Sequence, residues 1–308
     1  MTPAEHSAPS LYYLAPHADD VALSCAGHVC SDVAAGRAVT LVTVFLSGRD
    51  AEARRAEDER AAAILGCRYL CLSLFDAIDR PEVRGRLDVF AAFGPAHLGM
   101  TSEVVERLLW HVAAPAALYA PLAVGGHIDH RIVHEAARAV AYKLKLSLAY
   151  YEDQPYSLAP YALGRRLAAL ETGLPPGLAG TERAEPRREL RAYRDLYRRL
   201  PLLRSLPPGV RFLGSHMIAR AALRADRSGQ RPGLPPRLQP QLREVSAYRA
   251  RRTAALAAYA SQWPLFAASP EQLEALLHGY GQALRPADSA AATSASYERL
   301  WQDLGVRP

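Results

Sequence analysis

Several things are scarce in this 308-residue chain, and each scarcity excludes something. No uninterrupted apolar run approaches the roughly 20 residues that a membrane-spanning helix needs. The start, Met1 to Ser10, has neither a basic opening nor an apolar stretch, so it does not read as an export signal. Of 37 basic residues only Lys143 and Lys145 are lysine, and the net charge of +6 is modest for the length. A nucleic-acid partner needs basic and aromatic residues organised on one face, and none is expected here. The 4 cysteines form no C-x-x-C pair: Cys25 and Cys30 are too far apart, as are Cys67 and Cys71. A zinc ribbon and a dithiol redox motif are thereby excluded, and the expected location is the cytoplasm. No G-x-G-x-x-G follows the first apolar strand, and Ser24 lacks the setting of a nucleophile elbow. No internal repeat is present.

What is there is an ordinary globular balance, 50% hydrophobic and 22% charged, in a length that fits about two domains or one large α/β domain with additions. Short apolar runs alternate with helical stretches up to about residue 170. Strands are predicted at 11–15, 39–46, 69–74, 116–122 and 148–151, with helices over 19–35, 51–65 and 129–144. Alternation of this kind predicts a Rossmann-like, mostly parallel sheet with helices on both faces. The stretch 75–98, with Pro81, Gly85, Gly94 and Pro95, reads as a long loop near the site. Beyond residue 170, segments 172–186 and 225–241 are rich in Pro, Gly and Arg and read as linkers or surface loops. Helices are expected over 187–200, 242–260 and 270–284. The arginine-rich helix at 187–200 reads as amphipathic, packed on the core with its arginines in water. The expected organisation is a catalytic domain at 1–170 and a mostly helical region at 171–308 that completes the pocket.

In open α/β sheets ligands sit outside the carboxyl ends of the strands, so polar residues just after strands matter most. Two clusters stand there. Pro16-His17-Ala18-Asp19-Asp20 follows the first strand and opens the first helix. Helix capping accounts for one aspartate, but not for a second beside a histidine. Val124-Gly125-Gly126-His127-Ile128-Asp129-His130 follows the fourth strand, where two histidines three apart can enter one pocket and Asp129 can orient a ring nitrogen. His134, one turn beyond His130, could in principle face the same metal, but it reads as a surface or core-edge histidine. Together the clusters hold two histidines and an aspartate, with one further Asp and His to spare. That is the inventory of a hydrolytic metal centre with a position open for water. A spare carboxylate can take the proton of metal-activated water, and a spare imidazole can stabilise what leaves. Two His and one Asp suit Zn2+, and also Fe2+ or another divalent ion.

These residues resemble the PIG-L/LmbE-like N-deacetylases, zinc enzymes that remove acetyl groups from N-acetylglucosamine-type substrates. The likeness rests on His17-x-Asp19-Asp20 and His127-x-x-His130, in that order. It extends to Leu23-Ser24-Cys25-Ala26-Gly27, to Arg55 with Ala-Ile-Leu-Gly66, to Tyr150-Tyr151-Glu152-Asp153-Gln154-Pro155-Tyr156, and to Tyr259-Ala260-Ser261-Gln262. The commoner pattern has Pro at Ala18 and Glu at Val21, and neither position is a ligand. The resemblance implies that His17, Asp20 and His130 bind zinc and that Asp19 is the general base. It also implies that His127 assists the tetrahedral intermediate, with Asp129 beside it. The implied activity is hydrolysis of an N-acetyl or other N-acyl group on a small amino sugar or its conjugate. The alternative is a non-catalytic metal- or sugar-binding or regulatory protein on the same fold, which would need no base at Asp19. Ser47-Gly48-Arg49-Asp50 reads either as a turn with a helix cap or as a substrate grip. Arg49, Arg55 and Gly126 are the expected substrate contacts. The sequence leaves the oligomeric state open.

Overall fold

The computed structural model describes residues 9–48, 50–80, 92–93, 98–159, 161–172, 186–197, 207–227, 236–286 and 289–306. Five parallel strands form its centre: β1 (Ser10–Ala15), β2 (Val39–Phe45), β3 (Arg68–Leu74), β4 (Ala116–Pro121) and β5 (Ser147–Tyr151). Two later strands, β6 (Leu238–Glu244) and β7 (Tyr297–Asp303), extend the same sheet. Its order is β3-β2-β1-β4-β5-β7-β6, with β7 antiparallel to both of its neighbours. The expected mostly parallel α/β sheet is present. The region after residue 170 is helical in large part but also supplies these two strands.

Nine α-helices lie among the described residues: α1 (Asp20–Ala34), α2 (Ala51–Leu65), α3 (Leu98–His111), α4 (Ile128–Leu144), α5 (Ala162–Ala169), α6 (Pro186–Tyr197), α7 (Pro208–Arg227), α8 (Arg249–Ala257) and α9 (Pro270–Ala283). Alternation along β1 divides the core. Tyr12 and Leu14 face one side of the sheet with Val42, Leu118 and Leu148, against Val104 and Leu108 of α3 and Ile132 and Val140 of α4. Leu11, Tyr13 and Ala15 face the other side with Val39 and Leu41, against α1, α2 and α8. Both faces are covered, which is why the strands read as continuous apolar runs rather than alternating ones.

The expected helix at 242–260 is in fact a strand, a 3-10 turn at Ser246–Tyr248 and the short helix α8. Pro240 is tolerated in β6 because that strand is the sheet's edge. The sequence reading has no counterpart for α3, α5 or α7. The long loop expected at 75–98 falls largely on residues outside the described set, as do most of 172–186 and 228–235 of the expected linkers.

The strand order puts β1 beside β4. The chain leaves β1 towards β2 and leaves β4 in the opposite direction towards β5. A crevice opens where two such connections diverge, at the carboxyl edge of the sheet. His17 follows β1 by two residues, Asp76 follows β3 by two, Asp153 follows β5 by two, and the 124–130 turn follows β4.

Candidate metal centre

At the end of β1 the backbone turns sharply into α1. Asp19, the residue before the helix, has φ 93° and makes no capping hydrogen bond with its side chain. A non-glycine residue in that region is strained by about 1–3 kcal/mol, a cost associated with functional turns. Asp19 therefore does not cap the helix with its side chain. Burial, and then the charge of Asp20, push its carboxyl well above the usual range. Asp20 is itself buried, and its Oδ2 accepts the His17 backbone N–H at 2.8 Å. Burial opposes the ionised form of Asp20, but His130 and His17 outweigh it and hold the carboxyl low.

The turn after β4 takes its shape from Gly125 and Gly126, both at positive φ. A Cβ on Gly125 would lie 2.7 Å from the Tyr156 ring, so the turn has no room for a side chain there. His127 then caps α4, its Nδ1 accepting the Asp129 N–H at 3.2 Å. Burial and the neighbouring His17 lower the His127 pKa to about 3, so its ring is neutral. With Nδ1 used as an acceptor, the ring proton sits on Nε2, which makes His127 a hydrogen-bond donor.

The other two histidines are arranged differently. His130 Nδ1 lies 2.6 Å from Asp153 Oδ1, and Asp153 Oδ2 accepts the Val124 N–H at 2.9 Å. His17 Nε2 lies 3.0 Å from Asp129 Oδ2, which also accepts the Ala77 N–H at 2.9 Å. The second oxygen of Asp129 is engaged by Arg80. Asp153 and Asp129 are both fully buried, so each imidazole has one nitrogen fixed by a buried carboxylate. The opposite nitrogens, His17 Nδ1 and His130 Nε2, each lie 3.5 Å from Asp20 Oδ2. That is long for a hydrogen bond. It matches the roughly 3.4 Å between ligand atoms of a tetrahedral ion bound at about 2.1 Å. A histidine donating one N–H to a carboxylate while offering its other nitrogen is the usual metal-ligand arrangement.

Two overlapping groups in this cluster present ligand atoms within 4.8 Å of one another: His17, His127 and His130, and His17, Asp76 and Asp129. The hydrogen bonds rank them. His127 has spent its lone pair on the Asp129 N–H, and Asp129 has both oxygens occupied. Asp20 belongs to neither group; its Oδ2, which accepts the His17 N–H, lies 3.5 Å from both His17 Nδ1 and His130 Nε2.

The structure thus brings His17, Asp19, Asp20, His127, Asp129 and His130 to one place. His134 stands apart: its Nδ1 contacts the Pro121 carbonyl at 3.0 Å and its ring stacks on Tyr150, a core role. Gly126 shapes the turn. Arg55 donates to Ser73 Oγ at 3.0 Å on the exposed rim. Its neighbour Arg54 is the one that reaches inward, 3.9 Å from Asp76, which is 3.6 Å from His17 Nε2. Arg49 lies outside the described residues.

Sequence reasoning quoted Asp153 only within the 150–156 motif, with no role, and did not single out Asp76, Arg80 or Arg54. The signal available for Asp153 and Asp76 was their position, two residues past an apolar strand on the edge already marked. The late Tyr259-Ala260-Ser261-Gln262 motif is explained by docking onto α2. The Tyr259 hydroxyl donates to Asp58 at 2.7 Å, and Ser261 donates its N–H and hydroxyl to Glu57 at 2.8 and 2.6 Å.

This chain is similar to several known proteins. A 2'-N-acetylparomamine deacetylase of Streptomyces fradiae is 35% identical over 162 residues, 47% of this chain and 56% of that protein. The match therefore spans little more than half the length of that curated relative. Among solved structures, the zinc-inhibited form of teicoplanin deacetylase Orf2 aligns over 95% of this chain and 97% of its own, with TM-score 0.59 and 17% identity. The A40926 pseudoaglycone deacetylase Dbv21 aligns over 97% and 98%, with TM-score 0.56 and 20% identity. At these identities the two structures establish a shared fold. The family description that matches is PIG-L, GlcNAc-PI de-N-acetylase, and it covers both clusters of the centre. The match runs over residues 12–141 of this chain.

Proposed function

We propose that this chain is a metal-dependent amidohydrolase that removes an N-acetyl group from an amino sugar or amino-sugar conjugate. His17, Asp20 and His130 would hold one divalent ion, zinc in the first instance. One observation carries the reading. Two imidazoles, each anchored by a buried carboxylate, direct their remaining nitrogens at the same Asp20 oxygen from 3.5 Å. A divalent ion held by such a set supplies Lewis acidity, lowering the pKa of water and polarising an amide carbonyl.

The chain's own groups supply the rest. Asp19, with its raised pKa, is suited to accept a proton from the attacking water and to return it to the leaving amine. His127, neutral and protonated at Nε2, is a donor for the oxygen that becomes negative when the carbonyl is attacked. Asp129 fixes the His17 ring; burial opposes its ionised form, but His17 first, and Arg80 with it, hold its carboxyl well below the usual range, and it also accepts the Ala77 N–H. Gly126, Arg49 and Arg55 stay as proposed substrate contacts, and Arg54 joins them through its approach to Asp76 beside His17. Residues 1–170 are the catalytic part in this reading, and 171–308 complete the pocket.

Relatives named for 2'-N-acetylparomamine, teicoplanin and the A40926 pseudoaglycone support an N-acetylated sugar conjugate as the substrate class. A zinc-inhibited relative supports a divalent ion in this fold. No described helix is long and apolar enough to cross a membrane, and a cytoplasmic location is part of the proposal. The test is a screen for acetate release from N-acetylated amino sugars and their lipid and natural-product conjugates, with Asp19→Asn as the control. Release by the wild type alone supports the deacetylase reading. Equal behaviour of wild type and Asp19→Asn on every substrate, both retaining metal, counts against it.

A further inference from the structure

We propose that Glu152, clamped by the C-terminal strand β7, is a positioning residue of the metal centre: it fixes the neighbouring Asp153 and, through it, the ring of His130. This rests on the metal-centre reading above. Asp153 sits in the short segment that leaves β5, where a chain is ordinarily free to shift. Here the residues on either side of it are tied to different elements. Glu152 is buried and takes three donors. Trp301 Nε1–H donates to Oε1 at 2.8 Å, Arg299 Nε–H donates to the same oxygen, and the Tyr280 hydroxyl of α9 donates to Oε2 at 2.5 Å. On the other side, the Gln154 N–H donates to Ser24 Oγ of α1 at 3.0 Å. The Tyr151 hydroxyl, one residue before Glu152, donates to the Leu14 carbonyl of β1 at 2.8 Å.

The clamp follows from the period of β7. Arg299 and Trp301 are two apart and share one face of the strand, while Glu298 and Leu300 point to the other. Glu298 accordingly serves a different partner, the Gly27 and His28 N–H groups of α1. Arg299 and Trp301 are almost fully buried and meet a carboxylate, so these are charge-assisted bonds in a dry setting. Residues 297–303 thus reach the metal centre without providing a ligand, by holding in register the carboxylate that orients His130. A displacement of a few tenths of an ångström at Asp153 lengthens a 2.6 Å bond and turns the His130 ring.

Metal affinity separates positioning from general structural support. Chelator-stripped full-length protein is titrated with Co2+ alone, following its visible absorption, alongside thermal melts. Glu152→Ala is expected to weaken Co2+ binding roughly 10- to 100-fold, the usual range for a group that orients a ligand. Glu152→Gln keeps an acceptor for Arg299 and Trp301 and should recover most of that loss. Trp301→Phe keeps the ring packing, removes one donor and should give a smaller loss in the same direction. It carries the test if Glu152→Ala does not fold. Glu298→Gln, on the opposite face of β7, should lower the melting temperature and leave Co2+ affinity unchanged. The proposal is overturned if Glu152→Ala, or Trp301→Phe in its place, binds Co2+ with wild-type affinity and spectrum. It is also overturned if Glu298→Gln weakens binding as much as Glu152→Ala. Absence of Co2+ binding by the wild type is a different result, for it defeats the metal-centre reading itself and this inference with it.

Discussion

His130 Nδ1 lies 2.6 Å from Asp153 Oδ1, and both side chains are buried beyond the reach of bulk water. The pair fixes which nitrogen of His130 is offered to a ligand. The Asp153→Ala variant should therefore lose about 10- to 100-fold in zinc affinity, measured by competition with a chromophoric chelator. Unchanged affinity would mean that the His130 ring is oriented by packing alone.

Asp19 and Asp20 are adjacent and should fail in different ways. Asp19→Asn should keep the metal and lose roughly 10²–10⁴-fold in kcat, with a small change in KM. Asp20→Ala should lose both metal and turnover. Metal content and kcat measured on the same preparations check the separation, and equal loss of metal in both would remove the distinct role of Asp19.

His127 is placed here as a donor and not as a ligand, because its Nδ1 already accepts the Asp129 N–H. His127→Ala should retain about one equivalent of metal and lose on the order of 10²–10³-fold in kcat. A metal-free His127→Ala protein would instead assign the centre to His17, His127 and His130.

Acid stability has an identifiable contributor away from the centre. Burial pushes the Glu298 carboxyl up, but hydrogen bonds from His28 and Gly27 and the nearby Arg252 outweigh it, and its pKa lies below the ordinary 4.5. A lowered folded-state pKa stabilises fully above the unfolded value and is lost as pH falls through the folded one. The melting temperature of the wild type should fall as pH drops below about 4.5, and the fall should be shallower in Glu298→Gln. Parallel curves would assign the acid transition to other carboxyls.

Much of this was legible in the sequence, for a physical reason. Parallel strands covered on both faces leave apolar runs such as residues 11–15, so β1 to β5 could be read directly, and polar clusters at their ends marked the crevice. The strands β6 and β7 were not legible. At the edge of the sheet, β6 mixes Gln239, Pro240 and Arg243 with its leucines. In β7, buried Glu298 and Arg299 break the apolar pattern because each has a buried partner far away in sequence. The same reason hid the role of Asp153, which the sequence marked only as a member of the 150–156 motif. Its importance comes from His130, a partner 23 residues back, and no local pattern records that pairing. Arg54 and Arg55 are adjacent, and only the helix phase of α2 decides which reaches Asp76.

The central claim is that His17, Asp20 and His130 hold one divalent ion, and elemental analysis tests it most directly. Wild-type protein purified without chelator should carry about one equivalent of zinc or another divalent metal per chain, and the His17→Ala, His130→Ala double variant should carry none. Equal metal content in the two proteins, or a wild type without metal that remains metal-free in the presence of zinc, would contradict the account.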